Sequence, residues 1–245
     1  SEADCLRAAS LCKADLVSGM VGEFPDLQGT MGRYLAKHDG ESAAVVRAIE
    51  EHYLPRQAGG ALPKSVPGQV LALADRLDSL VGLFIAGEEP TGEKDPYGLR
   101  RAALGVIRVL VEKKLDLDVA TLVGHAADGY AAGGLAAGDD AKSQCTTFIL
   151  ERYRSLYVTL GFAQDEISAV LEAGARRPLD FDRRLKAVSR FRHHRDAPSL
   201  TAANKRIRNI LRKSEESIPA QIDAQRLSEP AEIALSEAII ETAGA

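Results

Sequence analysis

Apolar residues recur along this chain at intervals of three and four, and sustained alternation of apolar and polar positions is nowhere found. That periodicity predicts helices, over 2–21, 26–37, 41–53, 67–86, 96–113, 118–131, 142–160, 164–174, 180–194, 199–213 and 217–242. The expected fold class is therefore all-α. Prolines 55, 63 and 67 mark one loop, the stretch from Pro90 to Pro96 a second, and AAGGLAAGDD at 131–140 a turn of small residues. No repeat of fixed period is present. Asp95 and Pro96 read as the opening of the 96–113 helix, an acid to cap free N–H groups followed by a proline suited to the first helical position.

Composition narrows the class without changing it. A chain of 245 residues is long enough for a sizeable core, and 45% hydrophobic with 27% charged residues is ordinary for a globular protein. Aromatic residues are 5% and Trp is absent, which together with abundant Ala and Leu favours helix over strand. No apolar run approaches the roughly 20 residues that span a bilayer, and no signal-peptide pattern opens the chain, so the expected location is cytoplasmic with no membrane partner. Cys5, Cys12 and Cys145 are odd in number and lack C-x-x-C spacing, which argues against a disulfide framework or a zinc knuckle. Cys5 and Cys12 share a helical face and read as packing residues. The chain begins without Met in a helical stretch and stops in another, as a segment of a longer protein would.

Charge is distributed unevenly. Between Arg176 and Glu216 there are thirteen Lys or Arg against five Asp or Glu, a local +8 in a chain of net −4, so the remainder carries −12. Such segregation points to a polyanionic partner. In SLTAANKRIRNILRK, Leu200, Ala203, Ile207, Ile210 and Leu211 form the expected core stripe. Lys205, Arg208 and Arg212 then fall in one row and Arg206 with Lys213 in a second, a pattern that fits a phosphate backbone. Arg183, Arg184 and Lys186 extend the same sign on the preceding helix, where no carboxylate is expected to balance them. Arg100 and Arg101 stand near a helix N-terminus, whose partial charge is already positive, so an anion is expected to meet them. A neighbouring carboxylate, Glu93 or Asp95, is expected to pair with one of the two.

Catalytic patterns are few. No Walker loop, dinucleotide fingerprint or nucleophile elbow is present. LALADRLDSLVGLF at 71–84 resembles the last metal-ligand helix of HD-type metal-dependent phosphohydrolases, with Asp75 in the ligand place. That resemblance implies a His-Asp pair on KADL, where this chain has Ala14-Asp15, and alanine cannot ligate a metal. His52 lies between them as a remnant, so Asp15, His52 and Asp75 are expected close together as a vestigial site with no metal. A literal His38-Asp39 occurs in a turn-like stretch with no histidine before it.

Three longer stretches carry a more specific resemblance: CKADLVSGMVGEFPDLQGTMGRYLAKHDGE at 12–41, LALADRLDSLVGLFIAGEEPTGEKDPYGLRRAALGVIRVLVE at 71–112, and SLTAANKRIRNIL at 199–211. They resemble the beta subunit of the bacterial two-subunit glycyl-tRNA synthetase over nearly the whole chain. The resemblance implies an HD-like helical domain with a degenerate metal motif at 1–90, a helical linker region at 91–175, and the start of a basic anticodon-binding domain at 176–245. It further implies a subunit that grips tRNA(Gly) while an alpha subunit makes the adenylate from ATP, with Mg, and glycine, in an alpha2beta2 complex. No cofactor and no catalytic residue are expected in this segment. Arg100, Arg101, Arg108, Arg183, Arg184, Lys205, Arg206, Arg208 and Arg212 become candidate tRNA contacts, and Phe191, His193 and His194 candidates for base stacking. The alternatives are an HD-type phosphohydrolase and a helical scaffold that only contacts the alpha subunit.

Overall fold

A computed structural model describes residues 1–92, 94–213 and 226–243, with 242 and 243 described by backbone alone. Glu93, Glu216 and the first part of the 217–242 helix expected from sequence lie outside the described residues. The regular structure described is helical, with one isolated bridge between Thr91 and Lys94. The α-helices are α1 (Glu2–Leu11), α2 (Gly19–Glu23), α3 (Thr30–His38), α4 (Ala43–Glu51), α5 (Val66–Ile85) and α6 (Leu99–Glu112). They continue with α7 (Val119–Ala132), α8 (Asp139–Thr159), α9 (Gln164–Glu172), α10 (Pro178–Arg192), α11 (Ala197–Lys213) and α12 (Pro230–Ala243). Two compact units are present, Ser1–Phe191 and Arg192–Ala245.

The expected 26–37 helix starts only at Thr30, after a 3₁₀ turn at Pro25–Leu27 and Gly29 at φ 78°. Where a helix over 217–242 is expected, the described helix starts at Pro230. Two further differences have identifiable side-chain or backbone causes. The 2–21 helix is broken: α1 stops at Leu11, a 3₁₀ turn covers Ala14–Val17, and α2 starts afresh at Gly19. Ser18 makes the break, because its hydroxyl donates to the Asp15 carbonyl and accepts the Val21 N–H, 2.6 and 3.3 Å away, as a new N-cap. The 96–113 helix starts only at Leu99, after Gly98 in the left-handed conformation at φ 68°. Pro96 is therefore outside it. Asp95 still caps, its carboxylate accepting the N–H groups of Leu99 and Arg100 at 2.8 and 3.1 Å.

Within the first unit α5 is the spine, packing against α1, α4, α6, α7 and α8. Its Leu71 joins a small core with Ala8, Cys12, Ala36, Val45, Ala48 and Ile49. Its Leu77, Leu80, Val81 and Phe84 join the main core, with Val106, Ile107 and Leu110 of α6, Val123 of α7, Ile149 of α8, Ile167 of α9 and Phe181 of α10. On α8, Tyr153 stacks on Phe181 at 4.0 Å between ring centroids, and the Tyr157 hydroxyl donates to Asp182 at 3.1 Å. The loop before α5 is tied down by buried Glu51, whose carboxylate accepts both the N–H and the hydroxyl of Ser65 at 2.8 and 2.6 Å. All three cysteines are free, Cys12 and Cys145 buried.

One charged side chain spans these layers. Arg76 of α5 is 9% exposed, and its guanidinium donates to the carbonyls of His52 and Ala72, both at 2.9 Å, and of Tyr53 and Pro55 at 3.1 and 3.3 Å. Gly105 of α6 makes room for it, since a Cβ there would stand 2.7 Å from Arg76 Nε. Arg76→Ala strands buried carbonyls, and is expected to cost about 3 kcal/mol in denaturant unfolding. Gly105→Ala is expected to destabilise by about 1–3 kcal/mol through the clash. Tyr153→Phe is the contrasting case: its hydroxyl is buried with no hydrogen-bond partner among the described residues, so its removal is expected to leave stability unchanged or raise it by up to about 1 kcal/mol.

Candidate functional site

The residues expected to cluster, Asp15, His52 and Asp75, stand on the 3₁₀ turn, at the C-terminal cap of α4 and in the middle of α5. Asp15 is fully buried, and its Oδ2 accepts the N–H groups of Gly29 and Gly32 at 2.6 and 3.0 Å. The chain reaches that carboxylate only because position 29 is glycine: at φ 78° a Cβ there would strike the Tyr53 ring at 2.5 Å. Ala14 beside it is exposed and offers a methyl group.

His52 is also fully buried, with Nδ1 2.6 Å from the Ile49 carbonyl. A carbonyl only accepts, so Nδ1 carries the proton and Nε2 a lone pair, which has no partner among the described residues. Burial lowers the His52 pKa below its usual 6.5; the Ile49 carbonyl and Asp75 oppose this, while Lys13 and Arg76 add to it. The ring is therefore neutral near pH 7. Asp75 is ion-paired to Lys13, Nζ to Oδ1 2.6 Å. Burial works against the Lys13 ammonium, but the bond and charge of Asp75 outweigh it and the Lys13 pKa is raised. Asp15 and Asp75 both act on the Tyr53 hydroxyl, whose pKa is raised first by burial.

This donor set does not fit a divalent cation. Asp15 Oδ1 and His52 Nε2 are buried without a partner among the described residues, but the pair position is a methyl group and Asp75 is neutralised by the Lys13 ammonium, which leaves two ligands where a divalent cation needs about four or more. Among the described residues no group of three or more His, Cys, Asp or Glu side chains is placed to hold a metal ion. His38 and Asp39 contact one another at 3.0 Å in solvent at the end of α3.

The candidate arginines divide by commitment. Arg100 donates to the Gly92 carbonyl, and Asp95 serves the backbone and not a guanidinium. Arg101 is exposed and makes no hydrogen bond or ion pair with a described residue. Arg108 is 12% exposed and held by Glu112 at 2.7 Å and the Gly60 carbonyl at 3.0 Å. On α10, Arg183 is exposed, but Arg184 pairs with Asp180 and Lys186 with Asp182, each at 2.8 Å. The expectation that no carboxylate balances this helix is corrected: both acids sit four residues before their bases, on the same helical face.

On α11, Lys205, Arg206 and Arg208 are exposed and without partners among the described residues, and Arg212 has only a 3.5 Å contact with Asn209. The expected core stripe of that helix is exposed too, Leu200 by 54% and Ile210 by 59%. Periodicity identified the apolar face correctly, but a stripe is buried only where something covers it. Phe191 of α10 is half exposed, whereas Phe181 and Leu185 of the same helix are buried. His194 lies 3.6 Å from Asp196, and His193 also has an interaction of its own.

Sequence reasoning missed Lys13, Arg56, Arg76 and Tyr97. Lys13 and Arg76 adjoin Ala14-Asp15 and Asp75 in the motifs K-A-D-L and A-D-R-L, so their proximity to the cluster was readable. Their roles were not.

The described structure defines an all-helical protein in which several basic side chains on helix faces have no partner among the described residues. A family model described as glycyl-tRNA synthetase beta subunit matches residues 2–172. The chain is 52% identical over 237 residues to the glycine–tRNA ligase beta subunit of Aromatoleum aromaticum, covering 97% of this chain and 34% of that protein. The beta subunit of a Janthinobacterium species is 50% identical over 95% of this chain and 33% of its own length. That of Pseudomonas aeruginosa is 47% identical over 95% and 34%. The chain belongs to the glycyl-tRNA synthetase beta subunit family. It spans about one third of the length of these relatives. Among the described residues no helix is long and apolar enough to cross a membrane.

The lowered His52 pKa makes a pH prediction. Between the folded pKa and 6.5 the unfolded chain binds more protons than the folded one, so stability is complete above pH 6.5 and falls as the pH drops below it. His52→Gln is expected to flatten that slope in unfolding measured from pH 7.5 to 5; an unchanged slope contradicts the assignment.

Proposed function

We propose that this chain is part of a glycine–tRNA ligase beta subunit that binds and positions tRNA(Gly) for glycylation, in a cytoplasmic alpha2beta2 complex. ATP, with Mg, and glycine are used by the alpha subunit. The division into an HD-like part at 1–90, a helical region at 91–175 and the start of an anticodon-binding part at 176–245 belongs to the same proposal. The observation that carries it is α11, where Lys205, Arg206 and Arg208 stand exposed and unpaired among the described residues in the segment of local charge +8.

Unpaired surface cations gain little from the protein itself and much from phosphates, because each phosphate neutralised releases condensed counterions. Arg101 and Arg183 are equally open to serve, while Arg108 and Arg184 must exchange a carboxylate partner first. Contacts of this kind fix the position of a tRNA without reading its sequence. The contribution to catalysis is then orientation, delivering the acceptor end to the subunit that holds the adenylate.

Replacing Lys205 and Arg208 together by Glu in the complete enzyme is expected to raise the KM for tRNA. The log–log dependence of affinity on salt should become shallower by about 1 for every phosphate no longer neutralised. Glycine-dependent pyrophosphate exchange, which needs no tRNA, is expected to be unchanged. A variant with lower thermal stability but the same tRNA affinity per folded molecule would contradict the reading and assign α11 to domain packing.

A further inference from the structure

Beside the vestigial cluster, the first unit carries a notch of about 330 Å³ between the 53–56 segment, α5 and the start of α6. Arg56, Arg76 and Arg101 line it together with Tyr53, Tyr97 and Asp75. Its arginines make no ion pair with a described residue, although Asp75 in the same lining acts on Arg76. The Arg76 guanidinium is held by four carbonyls and by no carboxylate. Arg56 donates to the Gln28 carbonyl and lies over the Tyr53 ring, 5.3 Å from its centroid, again without an acid. Arg101 makes no hydrogen bond or ion pair with a described residue, and its guanidinium folds back over Gly98, where a Cβ would meet Nη2 at 2.9 Å. Asp75 is the lining carboxylate, and Lys13 pairs with it at 2.6 Å. Lys13 thus removes the charge that would otherwise repel an anion.

We infer that this notch is a binding site for a single phosphorylated nucleotide, its phosphate held by Arg56 and Arg101 and its base laid on the Tyr97 ring. Three arginines converge with no acid partner among the described residues, a geometry that suits phosphate oxygens, and guanidinium forks are the side chains best shaped for them. Tyr97 is 55% exposed and lines the same notch, giving a flat apolar face of the kind on which bases stack. The volume lies at the small end of ligand sites, so it admits one nucleotide and excludes a duplex. Gly98 in its left-handed conformation turns the chain between Tyr97 and α6, which places the stacking ring and Arg101 on the two sides of one short turn.

The notch shares Arg101 with the proposed tRNA contacts, but its binding is assayed without tRNA, so failure here is distinguishable from failure of that reading. Binding of 5′-AMP, adenosine and inorganic phosphate to the intact chain is measured by equilibrium dialysis or ligand-observed NMR. AMP is expected to bind saturably with a Kd of about 0.1–1 mM, adenosine at least tenfold more weakly, and phosphate to compete with AMP. Arg101→Gln and Arg56→Gln are each expected to weaken AMP about fivefold or more, and Tyr97→Ala to weaken AMP while leaving phosphate binding intact. All three positions are exposed, and a melting curve unchanged from the parent separates impaired binding from impaired folding. Adding tRNA distinguishes the sources: displacement of AMP means the notch takes a nucleotide of RNA, and undiminished AMP binding means it takes a free nucleotide. Absence of saturable AMP binding up to about 10 mM, equal affinity for adenosine, or variants that bind AMP like the parent would overturn the inference.

Discussion

The guanidinium of Arg76 is the constraint on which the rest of the first unit depends. It stands on α5, the helix that borders both hydrophobic cores, and it ties the 52–55 segment to that helix through backbone carbonyls. A buried charge without a carboxylate is tolerated only when dipoles replace its water, and four carbonyls do so here. Desolvation lowers its pKa, with Asp75 acting in the opposite sense. Because Arg76 also needs the space above Gly105, the packing of α6 against α5 is set by the same group. The backbone at His52, Tyr53 and Pro55 is held by it directly.

That framework holds Asp15 and His52 fully buried beside the Lys13–Asp75 ion pair. The groups are only partly committed: Asp15 Oδ2 accepts glycine amides and Asp75 pairs with the Lys13 ammonium, while Asp15 Oδ1 and His52 Nε2 are buried without a partner among the described residues. The Lys13 ammonium neutralises the Asp75 carboxylate there. The cluster has become part of the fold's polar interior, and its outer edge is a cationic notch.

Much of this was legible in the sequence. The 3.6 period gave the class and most helix positions. What escaped depended on geometry that no pattern encodes. Ser18 restarts a helix inside a stretch whose periodicity is continuous. Asp95 caps from outside the first turn, because Gly98 intervenes. Asp180 and Asp182 look outnumbered in a basic segment, yet each lies one helical turn from the base it neutralises. The stripe Leu200, Ile207, Ile210 and Leu211 has a core's spacing and an exposed setting, since periodicity reports an apolar face and not what covers it. Arg56, Arg76 and Arg101 are scattered through the sequence, and only the fold brings them to one notch.

The structure thus sorts basic residues into those already answered, such as Arg108, Arg184 and Lys186, and those left open among the described residues, such as Arg101, Arg183, Lys205, Arg206 and Arg208. Phosphate recognition by the open set is the central claim. Lysine footprinting of the complete subunit with an amine-reactive reagent, read by mass spectrometry with and without tRNA(Gly) at low salt, tests it most directly. The account predicts that tRNA slows modification of Lys205 several-fold and leaves Lys186, already paired with Asp182, little changed. Equal modification of Lys205 with and without bound tRNA would contradict it.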